Sequence, residues 1–165
     1  MKKITKLAIV TSALALNLSA QTVSDYHIGV SSAKVLDKNF VELNVGYGAN
    51  FYTQSNIFFG IAIELAYGQV DLENSKSADV VTSNGDFKLG YAMLENKLAL
   101  YAIGSGALQG IDNMSGAGFG YGAGIDYRIT DSFALNVEYK TYDMTSDKMP
   151  NYTFEKINTN FKYTF

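Results

Sequence analysis

The sequence predicts an all-β protein, an eight-stranded antiparallel up-and-down transmembrane β-barrel after a cleaved signal peptide. Three observations carry this. The first is strict alternation through GAGFGYGAGIDYRITDSFALNVEYKTY, residues 116–142. Phe119, Tyr121, Ala123, Ile125, Tyr127 and Ile129 fall on one face, and Gly118, Gly120, Gly122, Gly124, Asp126 and Arg128 on the other. After Thr130, Asp131 and Ser132 the pattern resumes, with Phe133, Leu135, Val137 and Tyr139 against Ala134, Asn136, Glu138 and Lys140. Successive strand side chains point to opposite faces, so a period of two means β-strand. The second observation is that one face is wholly apolar and the other is glycine and opposed charges. The third is that this unit recurs along the chain.

Residues 1–20 come first and are set apart from the barrel domain, residues 21–165. Lys2, Lys3 and Lys6 precede an apolar run from Leu7 to Leu18, and Leu18-Ser19-Ala20 forms a cleavage site. The run is too short to span a membrane, which marks a secretory signal peptide. Nowhere later does the chain offer the ~20 consecutive apolar residues of a spanning helix.

Eight alternating segments follow. Segment 25–34 sets Tyr26, Ile28 and Val30 outward against His27, Gly29 and Ser31. Segment 40–52 sets Val41, Leu43, Val45, Tyr47 and Phe51 against Glu42, Asn44, Gly46, Gly48 and Asn50. Segment 57–68 alternates Phe59, Ile61, Ile63, Leu65 and Tyr67 with Gly60, Ala62, Glu64, Ala66 and Gly68. Segment 80–93 pairs Phe87, Leu89, Tyr91 and Met93 with Asp86, Lys88, Gly90 and Ala92. Segment 97–108 is apolar on both faces, so its pattern assigns no orientation. The hairpin within 116–142 supplies the sixth and seventh. Segment 154–165 alternates Ile157, Thr159, Phe161, Tyr163 and Phe165 with Lys156, Asn158, Asn160, Lys162 and Thr164.

Connections 53–56, 94–96 and 130–132 are short, whereas 69–79, 109–117 and 143–153 are longer and polar; 35–39 is the exception. Short turns on one rim and long loops on the other are the build of outer-membrane barrels, with periplasmic turns. An even strand count then puts both termini in the periplasm. A soluble lipocalin-like carrier shares the alternation, with its apolar face lining a cavity. Segments of spanning length favour lipid outside, as do two aromatic girdles. Phe51, Phe59, Tyr91, Phe133 and Tyr163 mark the turn rim, and Phe40, Tyr67, Phe119 and Phe154 the loop rim. The glycine-and-charge face suits a narrow, side-chain-filled interior.

The formal charge is -3, and loss of three lysines with the signal peptide lowers it to about -6. An acidic chain argues against nucleic acid as a partner. The chain has no cysteine, which removes disulfides and thiolate metal sites from an exported protein.

On GFGYGAGIDYRITDSFALNVEYKTY and the ending INTNFKYTF, the chain from Tyr26 to Phe165 resembles the small OmpA-like and opacity-protein family of bacterial outer-membrane barrels. The resemblance implies a Gram-negative outer membrane, with lipid as solvent. Phe161, Tyr163 and Phe165 resemble the terminal signal read by barrel-assembly machinery, which is the partner so implied. Larger members carry a periplasmic peptidoglycan-binding domain after the barrel; this sequence ends at Phe165.

Candidate chemistry is sparse. His27, the only histidine, falls near the periplasmic end of its segment, without the nearby serine motif of lipid-modifying barrels, and reads as a buried or interfacial residue without a catalytic role. The alternating glycines lack the helix and lysine of a phosphate loop. No acidic stretch has calcium-loop spacing. Catalytic, cofactor and metal sites are therefore expected to be absent. Inward charges Glu64, Lys88, Arg128, Glu138 and Lys140 are expected to form a salt-bridge network, because an unpaired charge in a low-dielectric lumen is costly. The functional expectation is an outer-membrane scaffold with a structural or surface-interaction role, holding an extracellular ligand or surface through its loops. A small-solute channel is the alternative, and lipid-modifying enzyme the third class.

Overall fold

The computed structural model describes residues 21–71, 77–148 and 150–165; the signal peptide expected at 1–20 lies outside them. Eight strands form in order: β1 (Gln21–Val35), β2 (Lys38–Tyr52), β3 (Ile57–Asp71), β4 (Ser77–Met93), β5 (Leu98–Ile111), β6 (Met114–Arg128), β7 (Phe133–Ser146) and β8 (Tyr152–Thr164). Each pairs antiparallel with its neighbour in sequence, and β1 closes on β8 from Asp25↔Thr164 to Val35↔Phe154. Closure leaves no free sheet edge, so backbone groups are satisfied within the wall. One rim carries the start of β1, Phe165 and connections 53–56, 94–97 and 129–132; it is called the terminal rim here, and the opposite one the far rim.

The strands are longer than their sequence pattern suggests, and the expected long loops are mostly sheet. Residues 109–117 form a hairpin whose last pair is Ile111↔Met114, with only Asp112 and Asn113 in the turn. Within 69–79, pairs Gln69↔Asp79 and Asp71↔Ser77 continue the ladder, and within 143–153 so does Met144↔Tyr152. The predicted contrast between short turns and long loops is therefore corrected. Polar residues had been read as loop, but Val70, Ala78, Ile111 and Met144 keep the two-residue period and are buried inside. The outward polar groups bond one another: the Tyr67 hydroxyl donates to Asp79 Oδ1 at 2.8 Å and Gln69 Nε2 to the same oxygen at 2.9 Å. The turn at Leu36 and Asp37 has positive φ at both residues (48° and 62°), the geometry that matches strand twist in a two-residue hairpin.

The apolar faces point outward, which excludes the carrier arrangement. Ile28, Leu43, Ile63, Phe87, Phe119 and Tyr139 are all exposed, while Glu42, Glu64, Asp86, Glu138 and Lys140 are buried. Such an inverted distribution is stable only with lipid as the outer solvent. β5 also acquires an orientation: Ala99, Tyr101, Ile103, Ser105, Ala107 and Gln109 point inward. Neighbouring strands impose this through register, which the segment's own composition cannot. The girdle needs one correction. Phe40 and Phe154 are 7% and 0% exposed and face the lumen, because they share the parity of Glu42 and Lys156.

These inward aromatics seal the barrel. At the far rim Val35, Phe40, Val80, Ile111, Tyr142 and Phe154 belong to one apolar cluster, with Tyr142 stacked on Phe154 at 5.6 Å. Nearer the terminal rim Tyr52, Phe58, Ala92, Ala99, Tyr101 and Ile103 form a second. The inward glycines of β6 make room for these groups: an added Cβ at Gly124 would lie 2.5–2.6 Å from the Tyr101 ring and 2.7 Å from its hydroxyl.

The charged lumen as candidate functional site

The buried charges occupy the lumen, in three linked groups. In the first, Lys88 Nζ lies 2.5 Å from Glu138 Oε1 and Lys140 Nζ 2.9 Å from Glu138 Oε2. Lys140 also pairs with Asp86, whose carboxylate accepts from Ser105 Oγ at 2.5 Å. The Tyr101 hydroxyl donates to Glu138 at 2.8 Å. In the second group Lys156 Nζ sits 2.5 Å from Glu64 Oε1, and Asn158 Nδ2 donates to Glu64 Oε2 at 2.9 Å. In the third, Lys162 Nζ lies 3.2 Å from Asp25 and 3.0 Å from Asp126. His27 connects two groups, with Nδ1 3.2 Å from Asp25 and Nε2 3.8 Å from Glu64. Asn136 connects the third group to the first by donating to Asp126 at 2.7 Å and to the Tyr101 hydroxyl.

The register explains why these residues meet. Each residue sits on an inward position. Glu138 and Lys140 share β7 and Asp25 and His27 share β1, while the other partners come from different strands that barrel curvature brings across a lumen that eight strands leave just wide enough to fill. Of the sequence candidates, Lys88, Glu138 and Lys140 come together directly. Glu64 lies in the neighbouring group, tied to Lys156. Arg128 stands apart near the terminal rim, with Asp126, Lys97 and Asn96 around a small recess. Asp25 was missed because it opens its segment, although its parity with His27 already placed it inside. His27 is corrected in position: it lies near the middle of β1 and is buried, rather than at a strand end.

Chemically, every one of these carboxylates is occupied by ammonium, amide or hydroxyl donors. Among the described residues no group of three or more His, Cys, Asp and Glu side chains has metal-binding geometry. At the far rim a separate polar clasp joins two connections. Asp147 Oδ1 accepts from the Ser115 amide at 2.9 Å, and Lys148 Nζ donates to the Asn113 carbonyl at 2.6 Å.

A closed barrel with an apolar outside and a paired-charge inside defines an integral membrane β-barrel. The chain belongs to the outer membrane protein beta-barrel domain family, which it matches over residues 7–165. It is accordingly an integral protein of the bacterial outer membrane. Among solved structures it is similar to Ail, the attachment invasion locus protein of Yersinia pestis, in complex with the heparin analogue sucrose octasulfate, with 15% identity, TM-score 0.60, and coverage of 88% of this chain and 99% of that one. It is also similar to Neisserial surface protein A, at 12% identity and TM-score 0.56, covering 89% and 99%. OprG from Pseudomonas aeruginosa gives 12% identity and TM-score 0.55, covering 90% and 98%. No curated protein sequence matches. At these identities the likeness speaks for the fold.

Proposed function

We propose that the protein is a non-conducting, non-enzymatic structural barrel, with both termini in the periplasm and the far rim facing the cell's surroundings. One observation carries this reading: apolar side chains close the lumen towards both ends of a buried, mutually paired charge network. An ion crossing it would have to displace Phe154 and Tyr142 at one end and Phe58 and Tyr101 at the other. Barrel-assembly machinery is the partner during insertion. The outward row Phe161, Tyr163 and Phe165, exposed at the end of β8, supports that role for the residues. Signal cleavage after Ala20 belongs to the same export route.

Any surface-interaction role falls to the far rim. Among the described residues Asp37, Asp71, Asp79, Asp112, Asp143 and Asp147 outnumber Lys34, Lys38 and Lys148 there, although Lys34 pairs with Asp37 at 3.0 Å. A rim of that charge repels sulfated saccharides of the kind seen bound to Ail; cationic surfaces are the better match.

The test is conductance of the refolded barrel in a planar bilayer, with folding verified separately. A folded barrel that is electrically silent is expected. Stable steps that change when Lys88 or Glu138 is neutralised would replace this reading by the channel.

A further inference from the structure

Four buried side-chain oxygens among the described residues have no hydrogen-bond partner: Glu42 Oε2, Asn44 Oδ1, Asn158 Oδ1 and Asn160 Oδ1. Their residues are at most 2% exposed. They are not scattered. Gly29 is flanked in register by Asn44 on β2 and Asn160 on β8, and Ser31, two residues on, by Glu42 and Asn158. All four orphans thus occupy two successive inward rungs of β8, β1 and β2. A Cβ at Gly29 would collide with Asn160 Oδ1, so that oxygen lies over the open face glycine leaves.

The amide orientations follow from their other bonds. Asn158 turns its Nδ2 to the Glu64 carboxylate at 2.9 Å, which leaves Oδ1 pointing away from it. Asn160 Nδ2 donates to Asn136 Oδ1 at 3.0 Å, and the Asn136 amino group is in turn committed to Asp126. Asn44 Nδ2 donates to Ser31 Oγ at 2.9 Å. Four acceptors on neighbouring inward positions are therefore left without a hydrogen-bonded donor, which is costly in a buried site.

Charge points the same way. Buried carboxylates Asp25, Glu42, Glu64, Asp86 and Glu138 outnumber the buried ammonium groups Lys88, Lys140, Lys156 and Lys162, and His27 lies against Asp25 and Glu64 rather than Glu42. Glu42 is the under-compensated acid. Its Oε1 accepts from Thr82 at 3.0 Å, but Oε2 has only Lys156 at 3.9 Å, and that ammonium is committed to Glu64 and Asn84.

We infer that the lumen binds one alkali-metal cation between Glu42, Asn44, Asn158 and Asn160. One carboxylate and three amide oxygens supply a single negative charge and hard oxygen ligands, the match for sodium or potassium. Calcium takes six to eight oxygens, with more carboxylates among them. Because apolar layers close the lumen, the ion is taken up as the barrel folds.

The experiment refolds the mature barrel at pH 8 and constant ionic strength in sodium, potassium or N-methylglucamine chloride, and records thermal unfolding by circular dichroism. Alkali salts are expected to raise the melting temperature saturably, by roughly 5–10 °C at a hundredfold excess over the dissociation constant, and Glu42→Gln should abolish the response. Equal melting in all three salts, or a full response in Glu42→Gln, overturns the site. If Glu42→Gln does not fold, Asn44→Ala serves, and a response as strong as in the parent counts against. Crystals grown from protein refolded with thallium(I) give a direct reading: an anomalous peak among the four oxygens supports the site, and an ordered water alone refutes it.

Discussion

Glu138 is the residue on which the charged lumen turns, because its two oxygens separately hold Lys88 and Lys140. Glu138→Ala would leave two ammonium groups short of a counter-charge in a fully buried site, an effect of about 3–5 kcal/mol. The expected outcome is a lower urea midpoint for the refolded variant, partly restored when Lys140→Met is added, since the second change removes the stranded charge. A midpoint within error of the parent would show that the network contributes no net stability. Parity made the inward position of Glu138 legible in the sequence. Lys140 was legible with it, two residues along β7 and of the same parity, and so was the inward place of Lys88 on β4. That Lys88 and Glu138 stand opposite one another is decided only by the closed wall.

At the scale of elements, β6 and the far-rim hairpins show local rules at work. The inward glycines of β6 are spacers: Gly124 faces Tyr101, whose hydroxyl holds Glu138. Gly124→Ala forces that ring to move, and overpacking of this kind costs typically 1–3 kcal/mol; a reduced urea midpoint with an altered near-ultraviolet tyrosine signal is expected. The β6–β7 clasp responds to pH. The Ser115 amide, hydrogen-bonded to Asp147, holds that carboxyl below its ordinary value of 3.8. A folded-state value depressed in this way stabilises fully above the ordinary carboxylate value and is lost as pH falls through the lower one. Amide exchange at Ser115, normalised for the intrinsic pH dependence, should therefore accelerate only on the acid side of that range, and Asp147→Asn should remove the transition. The extent of these hairpins escaped the sequence reading because polar outward residues resemble loop, while Ile111 and Met144 reveal their burial only when paired.

At the scale of the whole molecule, closure is the unit of stability. β8 completes two ladders at once, with β1 and β7, and brings Lys156 to Glu64 and Lys162 to Asp25. Truncation before Tyr152 would open both edges and strand both carboxylates, so no heat-modifiable folded species is expected on an electrophoretic gel; a folded band would mean that seven strands suffice. The sequence by itself determined the strand class and the strand number and favoured a membrane setting, because a two-residue period and the chemistry of each face are local properties. Which face points outward was decided by the closed wall. The tertiary structure alone decided the orientation of β5, the apolar seals that Phe40 and Phe154 help to form, the pairing of the lumen charges and the clustering of orphaned oxygens beside Gly29 and Ser31. Those features depend on register and curvature, which bring side chains from distant strands across a common interior.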